Sequence, residues 1–136
     1  MAITKSFKLA ELIRQIEYDS TNDIITTNKG FKDKNKKKDA TTKTATTQFA
    51  LDTFAKADFR AARYIVAMSK GTNFHSTEIM MVHDGTSVDI TQYGTLSDAT
   101  LASFDADISG SNVRLLCTPA SSDSTVIKFD RTLVDA

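Results

Sequence analysis

The hydrophobic and polar positions of this chain follow two different periods. Over residues 6–18, SFKLAELIRQIEY, the side chains Leu9, Leu12, Ile13 and Ile16 recur at i, i+3, i+4 and i+7, the spacing of one helical face. Ser6 or Thr4 can cap its start, and the polar cluster DSTND ends it. The spacing predicts a short helix whose single apolar stripe has no partner nearby in the sequence. Leu9, Leu12, Ile13 and Ile16 are therefore candidate contacts with the rest of the chain or with another subunit.

From residue 60 the period becomes two. ARYIVAMS (62–69), TEIMMVH (77–83), SVDITQYG (87–94), NVRLLCT (112–118) and STVIKFDRTLV (124–134) read as strands, and LASFDADISG (101–110) as a further one. The turn signals SKGTN, HDGT, SGSN and PASSDS separate them, with Asp84-Gly85 the best hairpin corner. EIMMV and VRLLC are apolar at nearly every position, as in strands buried on both faces. SVDITQYG alternates, Val88 and Ile90 facing one way, Asp89 and Thr91 the other. The expected fold is mainly β, a small antiparallel β-sandwich or flattened barrel over about 59–134, preceded by an N-terminal arm with one short helix.

Between these regions, residues 26–48 hold one large apolar residue, Phe31, and no period. This composition predicts a disordered or extended linker. QFALDTFAKADF then returns to packed structure. The spacing of Ala50, Phe54, Ala57 and Ala61 leans toward helix, but strand stays open. The division is thus an arm at 1–58 (helix 6–18, basic linker 29–43, packing segment 49–58) and a β-domain at 59–136.

Charge sharpens that division. The chain is neutral overall, but residues 1–58 carry eleven Lys/Arg against eight Asp/Glu, and the remainder six against nine. NKGFKDKNKKKD concentrates six lysines against two aspartates. Lys32, Lys34, Lys36, Lys37 and Lys38 are candidate partner contacts, in a solvated loop or an arm laid on an acidic neighbouring subunit. Nucleic acid is the disfavoured partner, since the run lacks arginine and has one aromatic for stacking. No apolar run reaches the roughly 20 residues of a membrane span, and no secretory leader is recognisable. One cysteine, Cys117, allows no internal disulfide and is expected as a buried thiol.

Candidate chemistry is sparse. His75 and His83 share a parity, but on one straight strand they would stand roughly 26 Å apart, and Glu78 points to the opposite face. A strand-end and a loop histidine are expected, not a metal or acid–base site. Asp105 and Asp107 in DAD share a face without further calcium ligands in register. Phosphate-binding, dinucleotide and nucleophile-elbow signatures are absent. No enzyme activity, catalytic residue, metal or cofactor is expected.

In order along residues 59–134, the chain carries RYIV, TEI…VHDG, ITQYG, FDADISG, NVRLL…TPA and a closing TVIKF.RT. This string resembles a β-rich module of tailed-phage, cyanophage-like virion proteins described as structural or tail-fibre-like. The resemblance implies a non-enzymatic structural role, with HDG as a hairpin corner and Tyr93-Gly94 as a strand end beneath the next loop. It implies a decoration or cement-like subunit, or an accessory of neck, tail or baseplate, binding capsid or tail proteins through arm and β-domain. The location would be the virion, after synthesis in the host cytoplasm, and the state a homo-oligomer, taken as a trimer. A tail fibre is disfavoured because 136 residues leave no room for a shaft. A receptor- or glycan-binding β-module is the alternative reading.

Overall fold

The computed structural model describes residues 16–19, 24–27 and 34–136. Two compact units result, residues 1–33 and 34–136. In the first, β1 (Ile16–Asp19) and β2 (Ile24–Thr27) pair antiparallel, with Ile16 opposite Thr27 and Asp19 opposite Ile24. The expected helix over 6–18 falls mostly outside the described residues, as do Leu9, Leu12, Ile13 and Lys32. Its last positions are strand instead, because Ile16 and its neighbours pair across to β2.

The second unit has eight strands: β3 (Lys36–Lys43), β4 (Phe49–Ala55), β5 (Phe59–Lys70), β6 (Asn73–His83), β7 (Val88–Ser97), β8 (Ala102–Ser109), β9 (Asn112–Pro119) and β10 (Thr125–Asp135). They form a five-stranded sheet, β3-β10-β5-β6-β7, and a three-stranded sheet, β4-β9-β8. All pairings are antiparallel. The result is an uneven two-sheet sandwich, not a closed barrel.

Alternation puts one set of side chains inside. Ala62, Tyr64, Val66 and Met68 of β5, Ile79 and Met81 of β6, and Ile127, Phe129 and Leu133 of β10 form one face of the core. Leu51 and Phe54 of β4 and Val113, Leu115 and Cys117 of β9 meet them from the smaller sheet. Full burial of such side chains contributes about 1.5–3 kcal/mol each. All six strands expected beyond residue 60 are present. The β6–β7 hairpin closes at Asp84-Gly85, where Asp84 Oδ1 accepts from the amides of Thr86 (2.8 Å) and Ser87 (2.7 Å). Gly85 takes φ +95°, a backbone that side chains resist.

Two expectations need correction, and one open choice is settled. The basic linker is not extended coil over 36–43: β3 pairs with β10 along its whole length, from Lys43–Thr125 to Lys36–Thr132. The packing segment at 49–58 is a strand, β4, with a register shift between Ala50 and Asp52 that buries both Leu51 and Asp52. This bulge breaks the alternation that would have marked it. Residues 34–58 therefore belong to the β-unit, and the boundary lies at 33/34 rather than 58/59. Third, EIMMV is not buried on both faces, since Met80 and Val82 are each 48% exposed. VRLLC does bury both Leu115 and Leu116.

Candidate functional site

The inward polar groups of this unit are consumed by the fold. Asp52, on the bulge of β4, has a side chain only 1% exposed. Its Oδ2 accepts from Arg131 Nη1 of β10 (2.8 Å) and from the Tyr64 hydroxyl of β5 (3.0 Å), and its Oδ1 from Lys37 Nζ of β3 (2.8 Å). One carboxylate of the smaller sheet thereby gathers donors from three strands of the larger one. Burial, then the adjacent Asp52 charge, pushes the Tyr64 phenol far up. The hydrogen bond to Asp52 raises the Lys37 ammonium against the opposing cost of desolvation. Arg131 Nη2 approaches the Lys34 carbonyl at 3.4 Å, while its buried Nε has no partner among the described residues.

Both histidines lie on β6, facing inward, 3% and 4% exposed. His75 is within the strand rather than in a loop, because β6 begins at Asn73. Its Nδ1 accepts from the Leu101 amide (3.2 Å), and burial lowers its pKa. His83 Nδ1 accepts from the Gly85 amide (3.0 Å), leaving Nε2–H to donate to the Phe59 carbonyl (2.6 Å). Both rings are thus tied to backbone, and Glu78 does point to the other face. Cys117 is fully buried, its thiol pushed up to about 12 by desolvation. Asp107 pairs with Arg114, while the neighbouring acceptor Asp105 is exposed. Among the described residues no three His, Cys, Asp or Glu side chains stand together as metal ligands. Among them, too, no helix is long and apolar enough to cross a membrane.

The outer face of the five-stranded sheet is different. Phe74 (55% exposed), Met80, Val82, Ile65 (47%) and Val134 (59%) point outward from β6, β5 and β10. Register places all but Phe74 side by side: Val82 opposite Ala61 and Ala61 opposite Val134, Met80 opposite Arg63, Ile65 opposite Glu78. Ala61, Met80, Val82, Asp89 and Thr91 line a shallow, open depression here. Beside it Arg63 Nη2 donates to both Glu78 oxygens, at 2.9 and 3.1 Å. Glu78 is opposite Tyr93 of β7. Hydrogen bonding to Tyr93, then to Arg63, holds the Glu78 carboxyl below its usual range.

The two edges of this sheet are closed to strand addition in different ways. On β7, Tyr93 opposes Glu78 and Leu96 opposes Ser76, so Gly94 and Thr95 together face Thr77. Gly94 has φ +60°, and such a bulge twists an edge out of pairing geometry. Tyr93 and Gly94 thus lie inside β7, not at a strand end. On β3 the guard is charge. Lys36 and Lys38 are exposed, with Lys38 Nζ 3.8 Å from Asp130. Of the other predicted contacts, Lys34 is an exposed turn residue, Lys37 serves Asp52, and Ile16 lies in β1.

Sequence reading missed Asp52 and Arg131, which nothing local marks, because their meeting depends on the packing of two sheets. The pairing of Arg63 with Glu78 was half visible in the outward parity of Glu78.

No family model matches the sequence, and no curated protein matches it. Among solved structures, the chain is similar to parts of three tailspike proteins. That of Acinetobacter phage vB_ApiP_P1 has 20% identity and TM-score 0.44, over 75% of this chain and 22% of that one. That of Acinetobacter baumannii phage AM24 has 10% identity and TM-score 0.40, over 75% and 26%. The third, gp49 of Acinetobacter baumannii bacteriophage Fri1, is a capsular polysaccharide depolymerase, with 12% identity and TM-score 0.32, over 88% and 21%. The chain spans about a quarter or less of each. None of the three comes from a cyanophage.

Proposed function

We propose that this chain is a structural, non-enzymatic protein of a tailed-phage virion. It would act as a decoration or cement-like subunit, or as an accessory of the tail, attaching to assembled neighbours through its β-unit. The virion assignment follows the string of motifs from RYIV to TVIKF. The attachment role is carried by one observation: Met80, Val82 and Ile65 stand about half exposed in mid-sheet. A contiguous apolar patch in the middle of a sheet marks an interaction surface. The inward acids, bases and thiol, by contrast, are bound to backbone, paired with one another or sealed in the core.

Exposed Tyr93, beside Arg63 and Glu78, favours a second reading, in which this face stacks and hydrogen-bonds a receptor glycan. Sedimentation of the full chain with emptied phage heads and with detached tails separates the readings. The structural role requires co-sedimentation with one of them, lost in Met80→Lys. Binding to host envelope glycans that disappears in Tyr93→Ala, with no particle binding, would replace the structural role by the receptor one.

A further inference from the structure

We infer that the outer face of the five-stranded sheet is self-complementary and that its occupant is the same face of a second copy of this chain. The inference rests on reading this face as an interface, not on the virion assignment, and it makes the dimer the unit that joins particles, so that Met80→Lys would weaken particle binding by breaking the dimer.

Four side chains at its centre form a checkerboard. Arg63 and Met80 are one cross-strand pair, Ile65 and Glu78 the next outward-facing pair. One diagonal therefore carries a cation and an anion, already 2.9 Å apart, and the other carries two apolar side chains. Strands lie about 4.8 Å apart and alternate residues about 6.8 Å along them, so the apolar diagonal runs roughly 35° from the strand direction. A two-fold axis along that diagonal lays one sheet on the other with strands crossing at roughly 70°, nearer the orthogonal than the aligned class of sheet packing. Under it Ile65 meets the partner's Ile65 and Met80 the partner's Met80. Arg63 falls within about 3 Å of the point above the partner's Glu78, a gap that its long side chain spans easily. Tyr93 arrives between the partner's Arg63 and the partner's Thr132, neutral against both. Every central contact is then apolar on apolar or opposite charge on opposite charge, as an isologous interface requires.

Two further observations select this occupant. Both edges of the sheet are guarded, β7 by the bulge at Gly94 and β3 by its lysines, so growth by strand pairing is opposed while face-to-face packing is not. The central charges also cancel, one arginine against one glutamate, so the face repels neither itself nor its copy. A strongly acidic or basic partner would leave one of them uncompensated.

The experiment is sedimentation equilibrium of the full-length chain and of two exposed-site variants, R63E and E78R. Circular dichroism and thermal midpoints confirm that each variant folds. The wild-type chain is expected to dimerise with increasing concentration. Each variant alone juxtaposes like charges across the axis and should dimerise at least about tenfold more weakly. An equimolar mixture of R63E and E78R restores opposite charges between chains, though neither chain has them within itself, and should recover a dimer. A monomeric wild type, a dimer indifferent to both variants, or a mixture no stronger than its components would each overturn the inference. Met80-dependent co-sedimentation with phage particles by a monomeric wild type would overturn it while leaving the proposed function standing.

Discussion

Two trios of the same chemistry lie on opposite sides of the five-stranded sheet. Inside, Asp52 meets Arg131 and Tyr64, with Lys37 on its other oxygen; outside, Glu78 meets Arg63 and Tyr93. The inner arginine is 10% exposed and its carboxylate 1%, whereas the outer arginine is 57% exposed. Inside, the partners cannot turn to water, so the trio fixes how the two sheets sit on each other. Outside, solvent screens the pair and each member stays free to exchange partners. Buried, these groups serve architecture; exposed, they are free to serve the contact proposed above.

The comparison breaks first at Asp52. Asp52→Ala strands Arg131 and the Tyr64 hydroxyl without their acceptor, and loss of one member of a buried pair costs roughly 3–5 kcal/mol. Urea unfolding of the variant should show a loss of this order. A change below about 1 kcal/mol would mean that the inner trio is as dispensable as an exposed pair. Tyr64→Phe is the milder cut. It keeps the ring, packed edge-on against Phe129 at 5.7 Å, and removes one hydrogen bond to a charged acceptor, a loss of about 2 kcal/mol.

The inner trio also shows why part of the fold was hidden in the sequence. Beyond residue 60, alternation such as Tyr64-Ile65-Val66 and turn residues such as Asp84-Gly85 were enough to place every strand. β3 was not legible, because KKKDATTK contains no large apolar residue. Its inward positions are filled by lysine stems: Lys37 Nζ stands 5.6 Å from the centre of the Phe129 ring and Lys43 Nζ 4.3 Å from that of Phe49. A lysine counts as polar in a binary pattern, yet its ammonium lies near an aromatic ring at both positions and, for Lys37, also reaches the buried Asp52 carboxylate. β4 was hidden by its bulge, which places Leu51 and Asp52 inside in succession. The outer face misled in the opposite direction. EIMMV promised burial on both sides, and a run of apolar residues cannot say whether its second face is covered by the same chain or by another.

A pH titration extends the contrast between inside and outside. Burial sets the folded pKa of His75 below the 6.5 of a free imidazole. Between those two values the unfolded chain binds a proton that the folded chain refuses, so stability rises with pH through this window. The contribution is complete above pH 6.5 and is lost as pH falls toward the folded pKa. Urea midpoints should drop between pH 7 and pH 5, and the drop should shrink in His75→Gln. An identical pH dependence in that variant would mean that His75 is solvated enough to protonate in the folded state.

The smallest effect on stability belongs to Glu78→Gln, and it is the most informative about the outer trio. The glutamate's pKa is depressed, so in principle its contribution is present above the usual carboxylate range and lost as pH falls through the folded value. Solvent around Arg63 and Glu78 screens that contribution, however, and glutamine keeps one acceptor for the arginine and for Tyr93. The thermal midpoint should therefore match the wild type's, whereas Asp52→Ala lowers it by many degrees. Self-association should weaken all the same, because between two copies the same pair is desolvated and its charge counts for more. Equal loss of midpoint in the inner and outer variants would show that Glu78 belongs to the architecture after all. A stable Glu78→Gln chain that associates as the wild type does would remove the outer trio from the contact and leave Ile65 and Met80 to carry it alone.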